Sequence, residues 1–284
     1  MRLRFPAALA STVVLAFVCA PAALADTSQS SNWAGYAIHR SGVSFSKVIG
    51  TWRQPDATCT AGDPSYSAVW VGIGGYSITS DALEQIGTEV DCTAAGKVAS
   101  SAWYEMVPAA SQTITFVVRP GDELRASARV LGHTVQLTLD DLTRHRTFTK
   151  TLHASVVDVS SAEWIVEAPS NCLSNNSCQT LPLANFGSTT FDRARAESTR
   201  GHTGSIADHA WHSTEISLAP EGRHFVIYRG PNATPGSATP SALGPNGSSF
   251  KVTYHEAPIP VTPTFSQRRA PARAAQLVHP VLTR

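Results

Sequence analysis

Between residues 113 and 139 apolar and polar positions alternate with a period of two. Ile114, Phe116 and Val118 precede a turn at Arg119-Pro120-Gly121-Asp122; Leu124, Ala126, Ala128 and Val130 follow; Gly132 breaks the run before Val135, Leu137 and Leu139. Successive side chains of a strand point to opposite faces, so this pattern predicts an antiparallel meander with one buried face. Runs rich in Val, Ile, Thr and aromatic residues predict further strands at 43–52, 67–73, 100–106, 147–157, 163–167, 189–195, 224–228 and 249–255. Little helical periodicity is sustained from Ser31 to Tyr254. Ten or more strands without helices predict one all-β domain, a sandwich or a barrel. Residues 229–248 are rich in turn formers and are expected to be an exposed loop between the last strands.

Composition supports a folded chain: 284 residues, 42% hydrophobic and 15% charged, with 22 Lys+Arg against 21 Asp+Glu. Wholesale disorder, collagen and coiled coil are excluded. The N-terminus departs from this balance. Arg2 and Arg4 precede an apolar run from Phe5 to Ala20, and Ala23-Leu24-Ala25 closes it with the small-x-small pattern a signal peptidase reads. Residues 1–25 are therefore expected to be a signal peptide cleaved after Ala25, and the mature protein to be secreted. No later apolar stretch approaches the roughly 18 residues a membrane helix needs, so no membrane association is expected. Residues 26–256, the expected folded domain, carry 16 basic against 21 acidic groups. That net charge of −5 offers no electrostatic case for nucleic acid. Beyond His255 the chain is rich in Pro, Ala and Arg, and 257–284 is read as a flexible tail of a monomer.

Cys19 leaves with the signal peptide, and Cys59, Cys92, Cys172 and Cys178 form an even set in an oxidising destination. Two disulfides are expected. The short loop between Cys172 and Cys178 closes easily, which leaves Cys59 to pair with Cys92. Zinc is the competing reading, but neither pair has C-x-x-C spacing, and no metal or cofactor is expected. The one metal-like spacing, His209 and His212, lacks an acidic third ligand and is read as two ordinary histidines. Asn175, Asn232 and Asn246 stand in N-x-S/T sequons.

The chain contains no G-x-S-x-G elbow and no D-T-G or D-S-G triplet, so serine and aspartic hydrolase patterns are absent. Polar residues do stand inside apolar strand segments: Gln85, Glu105, Glu163 and Glu167. On one strand Glu163, Ile165 and Glu167 share a face, while Trp164 and Val166 lie on the other. A carboxylate held against Trp and aliphatic groups is desolvated and its pKa rises, which suits proton exchange in catalysis. The alternative is a solvated strand face.

Seven blocks bear on that choice: Ser30-Ser31-Asn32-Trp33-Ala34-Gly35-Tyr36-Ala37, Gly50-Thr51-Trp52 with Pro55, Trp70-Val71-Gly72-Ile73 with Gly75, Leu83 with Gln85 and Gly87, Ala102-Trp103-Tyr104-Glu105, Ala162-Glu163-Trp164-Ile165-Val166-Glu167, and Phe186-Gly187. In content and order, over residues 30–255, they resemble the motifs of the glutamic peptidase (eqolisin) family. The resemblance implies a β-sandwich of two large antiparallel sheets, similar to legume lectins and glucanases. It also implies a secreted endopeptidase acting on polypeptides at acidic pH, with Gln85 and Glu167 as the catalytic pair and Glu163 outside it. By the same resemblance Trp70, Glu89, Trp103 and Glu105 line or support the substrate cleft, Glu89 replacing the family's usual Asp. Trp33 and Trp52 are expected in the core. Gly74 stands where many members carry Asp, and Met106-Val107 where many carry aromatics, so cleft charge and subsite preference are open. Two other readings of such a sandwich remain: a glycan-binding or glycoside-hydrolysing protein, which would need paired carboxylates, and a catalytically silent peptide binder.

Overall fold

The computed structural model describes residues 26–174, 177–220 and 236–256; the expected signal peptide, the 257–284 tail and the expected strand 224–228 lie outside the described residues. The strands in chain order are β1 (Asp26–Ser30), β2 (Trp33–His39), β3 (Phe45–Arg53), β4 (Ala68–Gly74), β5 (Leu83–Cys92), β6 (Val98–Val107), β7 (Gln112–Ile114), β8 (Glu123–Leu131) and β9 (Thr134–Asp141). They continue with β10 (Arg146–His153), β11 (Ser161–Glu167), β12 (Ser170–Ser174), β13 (Ser177–Thr180), β14 (Ser188–Ser198), β15 (Thr203–Ser205), β16 (His212–Leu218), β17 (Ser237–Pro240) and β18 (Phe250–His255). No helix occurs among the described residues.

Hydrogen bonding runs unbroken through the order β10-β9-β8-β3-β14-β18-β17-β16-β2-β11-β4-β5-β6-β7. The expected sandwich is therefore one large sheet curled into two layers. Its pairings are antiparallel except at β1, which joins β16 in parallel. One layer centres on β3, β8 and β14, the other on β11, β4 and β5. Between them lies a core holding Trp52, Val71, Ile86, Leu124, Leu137 and Trp164. The layers interlock at Gly50, where a Cβ would stand 2.8 Å from the Trp164 ring and 2.9 Å from Val71. Trp164 Nε1 donates to the Ile49 carbonyl at 2.7 Å, and Trp52 Nε1 donates to Thr88 Oγ1 at 3.1 Å, so neither indole is buried without a partner.

Burial explains which strands the sequence pattern predicts. β8 and β9 bury alternate residues and present the others to solvent, the period-2 pattern. β2, β4 and β11 are buried on both faces, and no alternation marks them. β2 and β16 stand where no strand was predicted, and β5 extends well beyond the short apolar segment read around Gln85. The first limb of the expected meander is shorter than its pattern: only Gln112–Ile114 joins the sheet, while Phe116 and Val118 reach the core from outside a strand. The expected loop at 229–248 is corrected by β17, whose Ala238 and Pro240 are buried and which connects the two layers between β16 and β18.

A disulfide joins Cys59 to Cys92, with Cα atoms 5.2 Å apart across a separation of 33 residues. Cys172 and Cys178 are direct register partners in the β12–β13 hairpin, with side chains outside the described residues.

Candidate active site

The outer face of the second layer, turned away from the main core, is built in rows set by register. Trp33, Glu167, Ala68, Glu89 and Ser101 stand side by side on β2, β11, β4, β5 and β6. The next row on the same face is Gly35, Ile165, Trp70, Gly87 and Trp103, and the next Ala37, Glu163, Gly72, Gln85 and Glu105. Side chains two residues apart share a face, so one surface collects every expected site residue. Gly87 has to be bare: a Cβ there would lie 2.3 Å from the Val69 carbonyl oxygen. It leaves open floor between Trp70 and Trp103.

Glu167 is held at both oxygens. Trp70 Nε1 donates to Oε2 at 2.8 Å, and Asn32 Nδ2 donates to Oε1 at 3.1 Å. Asn32 is itself fixed, because Ser30 Oγ donates to its Oδ1 at 2.9 Å and its carbonyl accepts the Ala168 N–H at 2.8 Å. Trp33 packs edge-on against Trp70 with ring centroids 5.0 Å apart. Trp33 is fully buried, as expected, but in this outer cluster with Trp70, Ile165 and Trp103 rather than in the main core, where Trp52 does sit.

Gln85 Nε2 donates to Glu105 Oε2 at 2.7 Å, while Gln85 Oε1, also buried, has no partner among the described residues. The amide keeps one N–H and one carbonyl oxygen in reserve. Glu89 accepts from Ser101 Oγ at 2.8 Å, and its carbonyl accepts from Gln54 Nε2 at 2.9 Å, so it braces the floor. Trp103 is 6% exposed and its Nε1 has no partner among the described residues.

Two carboxyls on this face are raised while keeping surface open to solvent. Burial among indoles and aliphatic groups, reinforced by the charge of Glu105, pushes Glu167 up to about 8 against the hydrogen bonds that favour its ionised form. Burial pushes Glu105 up to about 7, opposed by the Gln85 amide and assisted by Glu89. Both carboxyls are half-buried among apolar and hydrogen-bonding groups rather than fully solvated. Glu163, also raised by burial, is 0% exposed, and neither of its oxygens has a hydrogen-bond partner among the described residues, whereas Glu167 retains surface open to the cleft. Asn32 was not singled out from the sequence; a polar residue beside Trp33, preceded by the Ser30 hydroxyl that orients it, was the available signal.

Among the described residues, no three His, Cys, Asp or Glu side chains converge so as to hold a metal ion.

The sequence model of the Peptidase A4 family matches residues 31–219. The chain belongs to this family. It is accordingly a glutamic endopeptidase, a hydrolase whose substrates are polypeptides, and the glycan and silent-binder readings give way. Its fold is similar to that of scytalido-glutamic peptidase crystallised with a peptide-based transition-state analogue, with TM-score 0.60 and 23% identity over 79% of this chain and 98% of the other. It is similar also to SCP-B, an eqolisin in complex with the tripeptide Ala-Ile-His, with TM-score 0.57 and 22% identity over 79% and 98%. Aspergilloglutamic peptidase from Aspergillus niger gives TM-score 0.53 and 25% identity over 67% and 99%. No match is found among curated proteins.

Proposed function

We propose that this endopeptidase hydrolyses peptide bonds with a water activated by Glu167 and an oxyanion held by Gln85. The observation that carries the reading is that one sheet face presents a partly buried, doubly anchored carboxylate and, two strands away, a neutral amide with an unpartnered oxygen. Glu167 takes a proton from the water as its oxygen attacks the carbonyl carbon, then passes that proton to the departing amine. No covalent intermediate forms. Gln85 Oε1 accepts the water's other hydrogen, and the free Nε2–H donates to the developing oxyanion. Loss of such a donor costs about 3–4 kcal/mol in other enzymes. Glu105 orients the amide, and Trp70 and Trp103 flank the extended peptide.

Glu105 and Glu167 act as a pair that gives up its protons in two steps, and the form holding one proton is the working one. With the two carboxyls raised to about 7 and about 8, that form is most populated near and just above neutrality. This is higher than the acidic range the family resemblance implies, and the pH profile distinguishes the two. Activity falls in strong acid, where both are protonated, and in alkali, where both are charged. Secretion is part of the same proposal. It is supported by the basic-apolar-small pattern of residues 1–25 and by a Cys59–Cys92 bond that needs an oxidising compartment.

The test is hydrolysis of a denatured protein from pH 2 to 9 by the mature chain and by Glu167→Gln and Gln85→Ala, with folding checked by circular dichroism. Cleavage lost in both folded variants supports the roles. Cleavage that persists in folded Glu167→Gln removes Glu167 from the chemistry.

A further inference from the structure

The connection from β4 to β5, residues 75–82, is an arch rather than a tight turn, and it is fastened at base and shoulder. At the base, Gly75 N donates to Ser80 Oγ at 3.1 Å and to Asp158 Oδ2 at 3.3 Å, and Ser80 Oγ contacts both Asp158 Oδ2 and the Ala82 carbonyl. Asp158, just before β11, also accepts the Ser160 N–H at 2.8 Å. The fit leaves no slack: Gly74 has φ +90°, and a Cβ on it would lie 2.6 Å from the Asp158 carbonyl oxygen. At the shoulder, Tyr76 stacks on His39 with centroids 4.7 Å apart, donates its hydroxyl to Thr214 Oγ1 at 3.2 Å, and packs on the outer cluster that holds Trp33 and Trp70.

At the tip, the turn from Ser77 to Ser80 is closed by Ser80 N donating to the Ser77 carbonyl at 3.0 Å. Ile78 occupies its second position and is 71% exposed. A single exposed aliphatic residue is ordinary on a protein surface. This one is carried by a loop whose other parts are bonded to the site face, beside the strands that bear Gly72 and Gln85.

We propose that residues 75–82 are the selecting wall of the cleft, with Ile78 as the contact for an apolar side chain of the peptide and Asp158 and Ser80 as the positioning residues that hold it there. The inference rests on the peptidase reading and deepens it. A held Ile78 presents apolar surface already ordered, so a substrate side chain gains burial without the cost of ordering the loop. A loosened loop forfeits part of that gain.

The test uses internally quenched peptides that differ only by Leu or Gly at each position flanking the scissile bond in turn. They are turned over by the mature wild type, Ile78→Ser, Asp158→Asn, Ser80→Ala and the Asp158→Asn/Ser80→Ala double variant. At one position the wild type should prefer Leu. Ile78→Ser should lower that preference about five- to tenfold, through KM, with kcat within about twofold, as covering part of an aliphatic side chain predicts. Asp158→Asn and Ser80→Ala should lower the same preference, and the double variant no further than either alone, because they break one clasp. A merely structural role would depress Leu and Gly peptides alike. That result, or an unchanged preference in Ile78→Ser, overturns the proposal. Should Asp158→Asn fail to fold, Ser80→Ala carries its arm.

Were the wild type to cleave nothing, the peptidase mechanism would fall on its own. The loop would then be judged by fluorescence anisotropy of labelled Leu and Gly peptides, where binding without a Leu preference sensitive to Ile78→Ser overturns it.

Discussion

Replacing Glu84 by Gln should make the protein more stable at neutral pH and leave it nearly unchanged in acid. Glu84 lies on β5 between Leu83 and Gln85, is 0% exposed, and has no hydrogen-bond partner for either oxygen among the described residues. Burial, with the charge of Asp158 added, pushes its carboxyl from the ordinary 4.5 up to about 8. The folded protein thus binds a proton that the unfolded chain releases between those two values. Stability from this group is full below about pH 4.5 and declines as pH rises to about 8. Each unit is worth about 1.4 kcal/mol, so the decline approaches 5 kcal/mol, of which about 4 kcal/mol is reached by pH 7.5. Gln resembles the protonated acid in shape and does not titrate. Guanidinium unfolding of both proteins at pH 4.5, 6 and 7.5 should give equal midpoints at the lowest pH and a variant advantage of several kcal/mol at the highest, with unchanged slope. A difference that does not vary with pH, or a variant less stable at pH 7.5, would refute the assignment of an unpaired buried acid.

Glu105→Gln removes the charge beside Glu167 while keeping a partner for Gln85, so the acid limb of kcat/KM should move to lower pH, read from a rate profile. Trp70→Phe deletes one of the N–H donors that favour ionised Glu167 and should move the same limb to higher pH, with a loss of roughly tenfold or more near pH 6. Trp164→Ala empties the junction between the layers and should cost about 3–5 kcal/mol in chemical denaturation. Replacing Cys59 and Cys92 together by Ser opens a 33-residue separation and should cost about 3–4 kcal/mol, read the same way.

The parts of the fold legible in the sequence are those with one wet face. β8 and β9 alternate because solvent takes every second side chain, so Leu124 to Val130 and Val135 to Leu139 announce themselves. β2 hides, since Trp33, Gly35 and Ala37 face the outer cluster and Ala34, Tyr36 and Ile38 the core, leaving no polar beat to read. Ser237–Pro240 reads as turn material, and only its burial between β16 and β18 makes it a strand. At the site, the period-2 rule placed Glu163 and Glu167 on one face but gave no reason to prefer either; their difference in exposure comes from what lies above the sheet, which no local pattern encodes. Asn32 was invisible for a related reason, since its contact with Glu167 joins residues 135 apart.

The dryness that prepares Glu167 also sets the conditions under which the fold is most stable. Glu84, Glu105, Glu163 and Glu167 are all raised by burial, so each is held protonated in the folded state at a pH where the unfolded chain would ionise it. Four such groups on two adjacent regions of β5, β6 and β11 make acid the stabilising direction. Only Glu105 and Glu167 have a use for the raised value in the proposed mechanism, as a pair holding one proton between them. Glu84 and Glu163 stand on opposite faces of the sheet, and the charge of Asp158 adds to the effect of burial on both. A fold that weakens as pH rises through neutrality is therefore a consequence of placing these carboxyls in or beside apolar surroundings.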